Sequence, residues 1–182
     1  PSQTASGVLT ASSVVTGNLT ISSGSMHLST YSLSVAGNVV NNGALSSSSG
    51  GVLNLNGTSA QSISGTGAWI AGASGYLSAL TINNTAGVSL NCNLGIQYGL
   101  NLSNGQLGGS GTLTLGTGSI GSLGVTVWNG TIASGLNMAY NLNNVTYSLI
   151  YNITGTYTSG GEFPPPNPAT PLGGDMGKKN GI

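Results

Sequence analysis

The chain has 182 residues, no net charge, and charged side chains at only 2% of positions, against about 25% in ordinary soluble domains. With no arginine and one adjacent lysine pair, Lys178-Lys179, it cannot neutralise a phosphate backbone, which excludes nucleic acid as a partner. No apolar run approaches the ~18 residues of a spanning helix, so no transmembrane segment is expected, and so little charge leaves weak electrostatic protection against association.

Read from the amino end, apolar and polar residues alternate in Gly17-Asn18-Leu19-Thr20-Ile21, Tyr31-Ser32-Leu33-Ser34-Val35 and Gly51-Val52-Leu53-Asn54-Leu55. The pattern continues in Leu80-Thr81-Ile82, Gly87-Val88-Ser89-Leu90, Leu100-Asn101-Leu102 and Gly111-Thr112-Leu113-Thr114-Leu115. Period-two alternation predicts short half-buried strands at each of these sites. No window sustains the i, i+3, i+4 spacing of an amphipathic helix. Gly, Asn and Ser separate the strands and tolerate turn conformations. Before residue 160 the only proline is Pro1, so nothing interrupts strand pairing.

Strand starts recur about every seven residues, too closely for a sandwich, whose turns come every ~8–12 residues. A longer period overlies this one. Leu33-Ser34-Val35 returns twenty residues later as Leu53-Asn54-Leu55, and Leu80-Thr81-Ile82 as Leu100-Asn101-Leu102. Leu94-Gly95-Ile96 returns about nineteen later as Leu113-Thr114-Leu115. A repeat of about 20 residues holding three short strands predicts an all-β fold, a parallel β-solenoid. At that repeat about eight turns would fit into residues 1–160, a rod of roughly 40 Å at the ~4.8 Å strand spacing.

The composition follows from that geometry. Inward positions carry Leu, Val and Ile, and outward positions carry Ser, Thr and Asn. Equivalent outward residues of successive turns lie about 4.8 Å apart, where like charges repel and hydroxyls or amides can bond to their neighbours. From residue 160 the pattern breaks. All formal charges fall there, on Glu162, Asp175, Lys178 and Lys179, together with Pro164, Pro165, Pro166, Pro168 and Pro171. Proline cannot donate to a ladder, so regular stacking must pause. The expected organisation is a β-solenoid over residues 1–159 and a Gly/Pro-rich loop, linker or docking arm over 160–182. Glu162, Phe163 and Pro164 are the expected docking contacts of such an arm.

Catalysis has little to work with. Glycoside hydrolysis needs two carboxylates flanking the bond, and Glu162 and Asp175 are the only ones. No calcium or other metal site is expected where carboxylates are missing, and no cofactor motif is present. His27 lies between Met26 and Leu28 in a strand and is expected to face outward as an inert side chain, with no acid to complete a Ser–His–Asp set. Cys92 has no partner for an internal disulfide and reads as a small buried hydrophobe. Sequons begin at Asn18, Asn56, Asn83, Asn101, Asn129, Asn144 and Asn152, and in so Asn-rich a chain they read as stacking and turn residues. Aromatic side chains stack on sugars and anchor interfaces, which makes Trp69, Tyr76, Tyr98, Trp128, Tyr140 and Tyr147 the candidate interaction surface. Padding of the solenoid core is the competing role for them.

Asn54-Leu-Asn-Gly-Thr-Ser-Ala-Gln-Ser-Ile-Ser-Gly-Thr-Gly-Ala-Trp69, Leu80-Thr-Ile-Asn-Asn-Thr-Ala-Gly-Val-Ser-Leu-Asn91 and Leu100-Asn-Leu-Ser-Asn-Gly-Gln-Leu107 together carry a recognisable pattern. It resembles the β-helical repeats of large secreted and cell-surface proteins of Bacteroidetes-type bacteria. The phrase Gly160-Gly161-Glu162-Phe163-Pro164 is similar to the one that leads into the next turn of such arrays, while the segment after Leu172 departs from it. The resemblance implies a secreted, often very long protein serving adhesion, gliding or surface-layer roles. The expectation is therefore a non-enzymatic structural or adhesive segment at the bacterial surface. Its expected partners are neighbouring repeats, further copies or surface glycans. A filament subunit stacking end to end is the alternative, and a polysaccharide-active enzyme a remote third.

Overall fold

The structure, a computed structural model, describes residues 2–3, 6–48, 50–71, 77–117, 124–128, 131–133, 136–142 and 145–147. Every regular element in it is a β-strand. The first turn of the coil holds β1 (Ser2–Gln3), β2 (Gly7–Val8) and β3 (Ser13–Val15). The second holds β4 (Leu19–Ile21), β5 (Ser25–His27) and β6 (Ser32–Val35), and the third β7 (Val39–Asn41), β8 (Ala44–Ser47) and β9 (Val52–Leu55). Then come β10 (Gln61–Ser64), β11 (Ala68–Ala71), and the long strands β12 (Leu77–Leu90) and β13 (Leu94–Gly108), which run on around corners. The last are β14 (Thr112–Thr117), β15 (Gly124–Trp128), β16 (Thr131–Ile132), β17 (Asn137–Leu142) and β18 (Val145–Tyr147).

These strands stack as three parallel columns. One runs β1-β4-β7-β10 and continues through the second half of β12 and the end of β13 to β16. A second sheet runs β2-β5-β8-β11. The third runs β3-β6-β9 into the first half of β12, the middle of β13 and β15. The arrangement is a parallel β-solenoid with a repeat near 20 residues, as the periodicity predicts. The three predicted repeats are direct neighbours: Leu33 on Leu53, Leu80 on Leu100, and Leu94 on Leu113.

About five turns stack rather than eight. The steps are uneven. Leu19 pairs with Val39, 20 residues on, but Val39 pairs with Ile63, 24 on, and Ile63 with Leu90, 27 on. Gln106 pairs with Thr131, 25 on. The surplus residues widen corners and add no rise along the axis.

Alternation turns Leu19, Ile21, Leu33, Val35, Leu53, Leu55, Leu80, Ile82, Leu100 and Leu102 inward, all of them buried. Burying such a side chain contributes about 1.5–3 kcal/mol, and stacking makes the contribution continuous along the coil. One strand pair among the described residues is antiparallel: β18 doubles back on β17, with Tyr147 opposite Tyr140 and Val145 opposite Leu142. Residues 148–182, including the expected arm at Glu162, Phe163 and Pro164, lie outside the described residues.

Candidate functional site

The outer face carries ladders of uncharged polar side chains. Asn18 Oδ1 accepts from the Asn38 N–H at 2.8 Å, and Asn38 Oδ1 from the Ser62 N–H at 2.8 Å. Asn54 Nδ2 donates to Ser34 Oγ at 3.2 Å, and Asn104 Nδ2 to Asn83 Oδ1 at 2.7 Å. Asn101 Nδ2 donates to Thr81 Oγ1 at 3.4 Å. Asn18, Asn83 and Asn101, which begin sequons, are thus stacking residues in the coil.

One polar cluster on the outer face surrounds His27. Its strand β5 turns Met26 toward the core and leaves His27 outside. The parallel register puts Val8 beside it on one turn and Ser46 on the next. The ring reaches over the end of β8. Nδ1 is 2.8 Å from Ser46 Oγ and Nε2 is 3.3 Å from Ser48 Oγ. Ser46 Oγ also donates to the Met26 carbonyl at 3.4 Å. His27 faces outward, as its strand position predicts, but it is half-buried and bonded through both nitrogens. The sequence reading missed both serines. Their signal was the nineteen- and twenty-one-residue separations, which match one turn.

Tyr98 is exposed, at 41%. Trp69 is buried in the core, because it continues the inward rank above Leu45, and it is withdrawn from any interaction surface. Trp128 lies in β15, Tyr140 in β17 and Tyr147 in β18, and Tyr76 lies outside the described residues. Val8 and Val14, at 65% and 70%, are large exposed apolar residues, both on the first turn.

Cys92 is half-buried against the core. Burial pushes its thiol up to about 11, and the nearby Trp69 indole works weakly in the other direction. The Trp69 indole N–H is buried and finds no partner at full hydrogen-bond geometry. No group of three or more His, Cys, Asp or Glu side chains able to hold a metal exists among the described residues. No helix among them is long and apolar enough to cross a membrane.

No protein-family model, curated protein or solved structure matches the chain.

Proposed function

We propose that this chain is a non-enzymatic structural and adhesive segment of a larger protein at the bacterial surface. The observation that carries the reading is the ladder architecture itself. A parallel coil with an apolar interior gains about 4.8 Å of length per turn and keeps its backbone amides paired. Its outer face offers hydroxyls and carboxamides at that same spacing, with no Asp, Glu, Lys or Arg among the described residues. Such a face suits contact with neutral glycans, and Tyr98 adds an exposed aromatic ring to it. The resemblance to Bacteroidetes-type repeats supports the extracellular setting.

A second reading is a filament subunit. It is favoured by β1, β2 and β3, each paired on one side only among the described residues. Unpaired strand edges attract further strands. The doubled-back β18 opposes it, since it replaces a parallel neighbour with an antiparallel one.

Electron microscopy of the purified chain separates the two. Monodisperse short rods are the expected result, and long fibres of uniform width would establish the filament. Turnover of any polysaccharide in a glycan panel would overturn the non-enzymatic reading.

A further inference from the structure

The three hydrogen bonds around His27 can coexist in only one arrangement of protons on a neutral ring. If Ser46 Oγ spends its hydrogen on the Met26 carbonyl, Nδ1 must donate to Ser46. Nε2 then holds the lone pair, and the hydroxyl of Ser48 must be the donor to it. The result is a chain running from the Ser48 hydroxyl through His27 and Ser46 to a backbone carbonyl. It reproduces the logic of an activated serine: a hydroxyl hydrogen-bonded to one imidazole nitrogen, with the other nitrogen fixed by a third group. Here a serine hydroxyl holds the position that a carboxylate occupies in the common triad.

We infer that Ser48 is an activated nucleophile, a site of acyl transfer from activated esters, with His27 as its general base and Ser46 as the positioning residue. The inference goes beyond the structural role and does not depend on it. In the step, Ser48 Oγ attacks the ester carbonyl while its proton passes to His27 Nε2. The carbon–oxygen bond to the leaving alcohol then breaks, and the alcohol departs with that proton. An acyl-Ser48 ester and a neutral His27 remain.

The surroundings make this a stoichiometric site rather than an efficient enzyme. Oxyanion stabilisation needs free N–H donors, and three of those nearby among the described residues are committed. The Ser48 N–H donates to Ser29, the Gly50 N–H to Ser78 Oγ, and the Gly51 N–H to the Ser48 carbonyl. The acyl-serine therefore has little help in turning over and accumulates.

The test is to treat the intact chain with 4-nitrophenyl acetate and map acetylated serines by mass spectrometry after peptic digestion. The expected result is one acetyl group concentrated on Ser48. Ser48→Ala removes it, and His27→Gln slows it by about a hundredfold, the lower end of the range for general-base assistance. Ser46→Ala slows it less, and Ser46→Thr, which keeps the hydroxyl, restores it. Acetylation spread across many serines, or undiminished in a folded His27→Gln chain, would overturn the assignment. Circular dichroism establishes that each variant is folded.

Discussion

The side-chain amides of Gln61 and Asn84 meet inside the coil: Asn84 Nδ2 donates to Gln61 Oε1 at 2.8 Å, with both residues buried. The contact joins successive turns, and each partner reaches further. Gln61 Oε1 also accepts from the Gly57 N–H at 2.9 Å, and its Nε2 donates to the carbonyls of Val35 and Gly37 in the turn before. Asn84 Nδ2 also donates to the Ser59 carbonyl at 2.8 Å. The step from Val39 to Ile63 is 24 residues, so its extra length includes the loop at 56–60. Gln61 and Asn84 satisfy the backbone groups that this longer loop carries inward.

Gln61→Leu should therefore be among the most damaging substitutions in the coil. It strands the buried Gly57 N–H and the half-buried Gly37 carbonyl, removes one bond of the buried Asn84 amide, and leaves the Val35 carbonyl with the Asn56 N–H alone. Each buried orphan costs about 1–3 kcal/mol, so a loss of about 3 kcal/mol or more is expected in urea unfolding. Asn54→Ala, which removes one outer ladder bond to Ser34, should cost about 1 kcal/mol. Equal losses for the two would mean that the inner network adds nothing special.

The bends of β12 and β13 supply a second comparison. Gly87 and Gly105 both have positive φ, 89° and 83°. A Cβ on Gly87 would meet only the Gln106 carbonyl oxygen at 3.4 Å, whereas a Cβ on Gly105 would collide with the Asn84 carbonyl. Gly87→Ala should cost about 1–2 kcal/mol, the left-handed backbone penalty. Gly105→Ala adds a backbone clash and should cost clearly more, about 3 kcal/mol or above. Thermal unfolding of the two variants checks the order.

Much of this fold was legible in the sequence, because a coil imposes a simple pattern. The repeats at Leu33/Leu53, Leu80/Leu100 and Leu94/Leu113 are literal neighbours. What escaped is instructive. Asn41, Gln61 and Asn84 share the parity of Val39, Ile63 and Ile82, so alternation alone placed them inside. Their polarity hid this until the wide corners gave them backbone groups to satisfy. The turn count missed because sequence spacing does not separate rise from corner length. The His27 cluster was invisible for a related reason: its serines are neighbours across a turn, and the chain is rich in serines.

Cys92 makes a prediction about reactivity. Its thiol is pushed up to about 11 from an ordinary 9.0, by burial above all. Only the thiolate is nucleophilic, so iodoacetamide should react slowly at pH 8 and accelerate until about pH 11. Unfolding in urea should restore ordinary reactivity. The linkage has a definite sign. Folding favours the neutral thiol, so this contribution to stability is complete below pH 9 and is lost as pH rises toward 11. Equal alkylation rates at pH 8 with and without urea would refute the buried-thiol account.

The near-absence of charge can be tested directly on the outer ladder of the third column. Ser34 and Asn54 are register partners and already share a hydrogen bond. Two aspartates there would sit about 4.8 Å apart, a like-charge pair worth roughly 1 kcal/mol in water and up to about 3.5 kcal/mol nearer a protein surface. Ser34→Asp and Asn54→Asp should each be tolerated alone at modest cost. The double variant should fall below the sum of the singles by an amount in that range. The shortfall should shrink in 1 M salt, where screening acts over about 3 Å, and vanish below about pH 3 as the carboxylates protonate. Additive costs, indifferent to salt, would break the link between ladder geometry and an uncharged sequence. The low charge would then reflect something other than stacking.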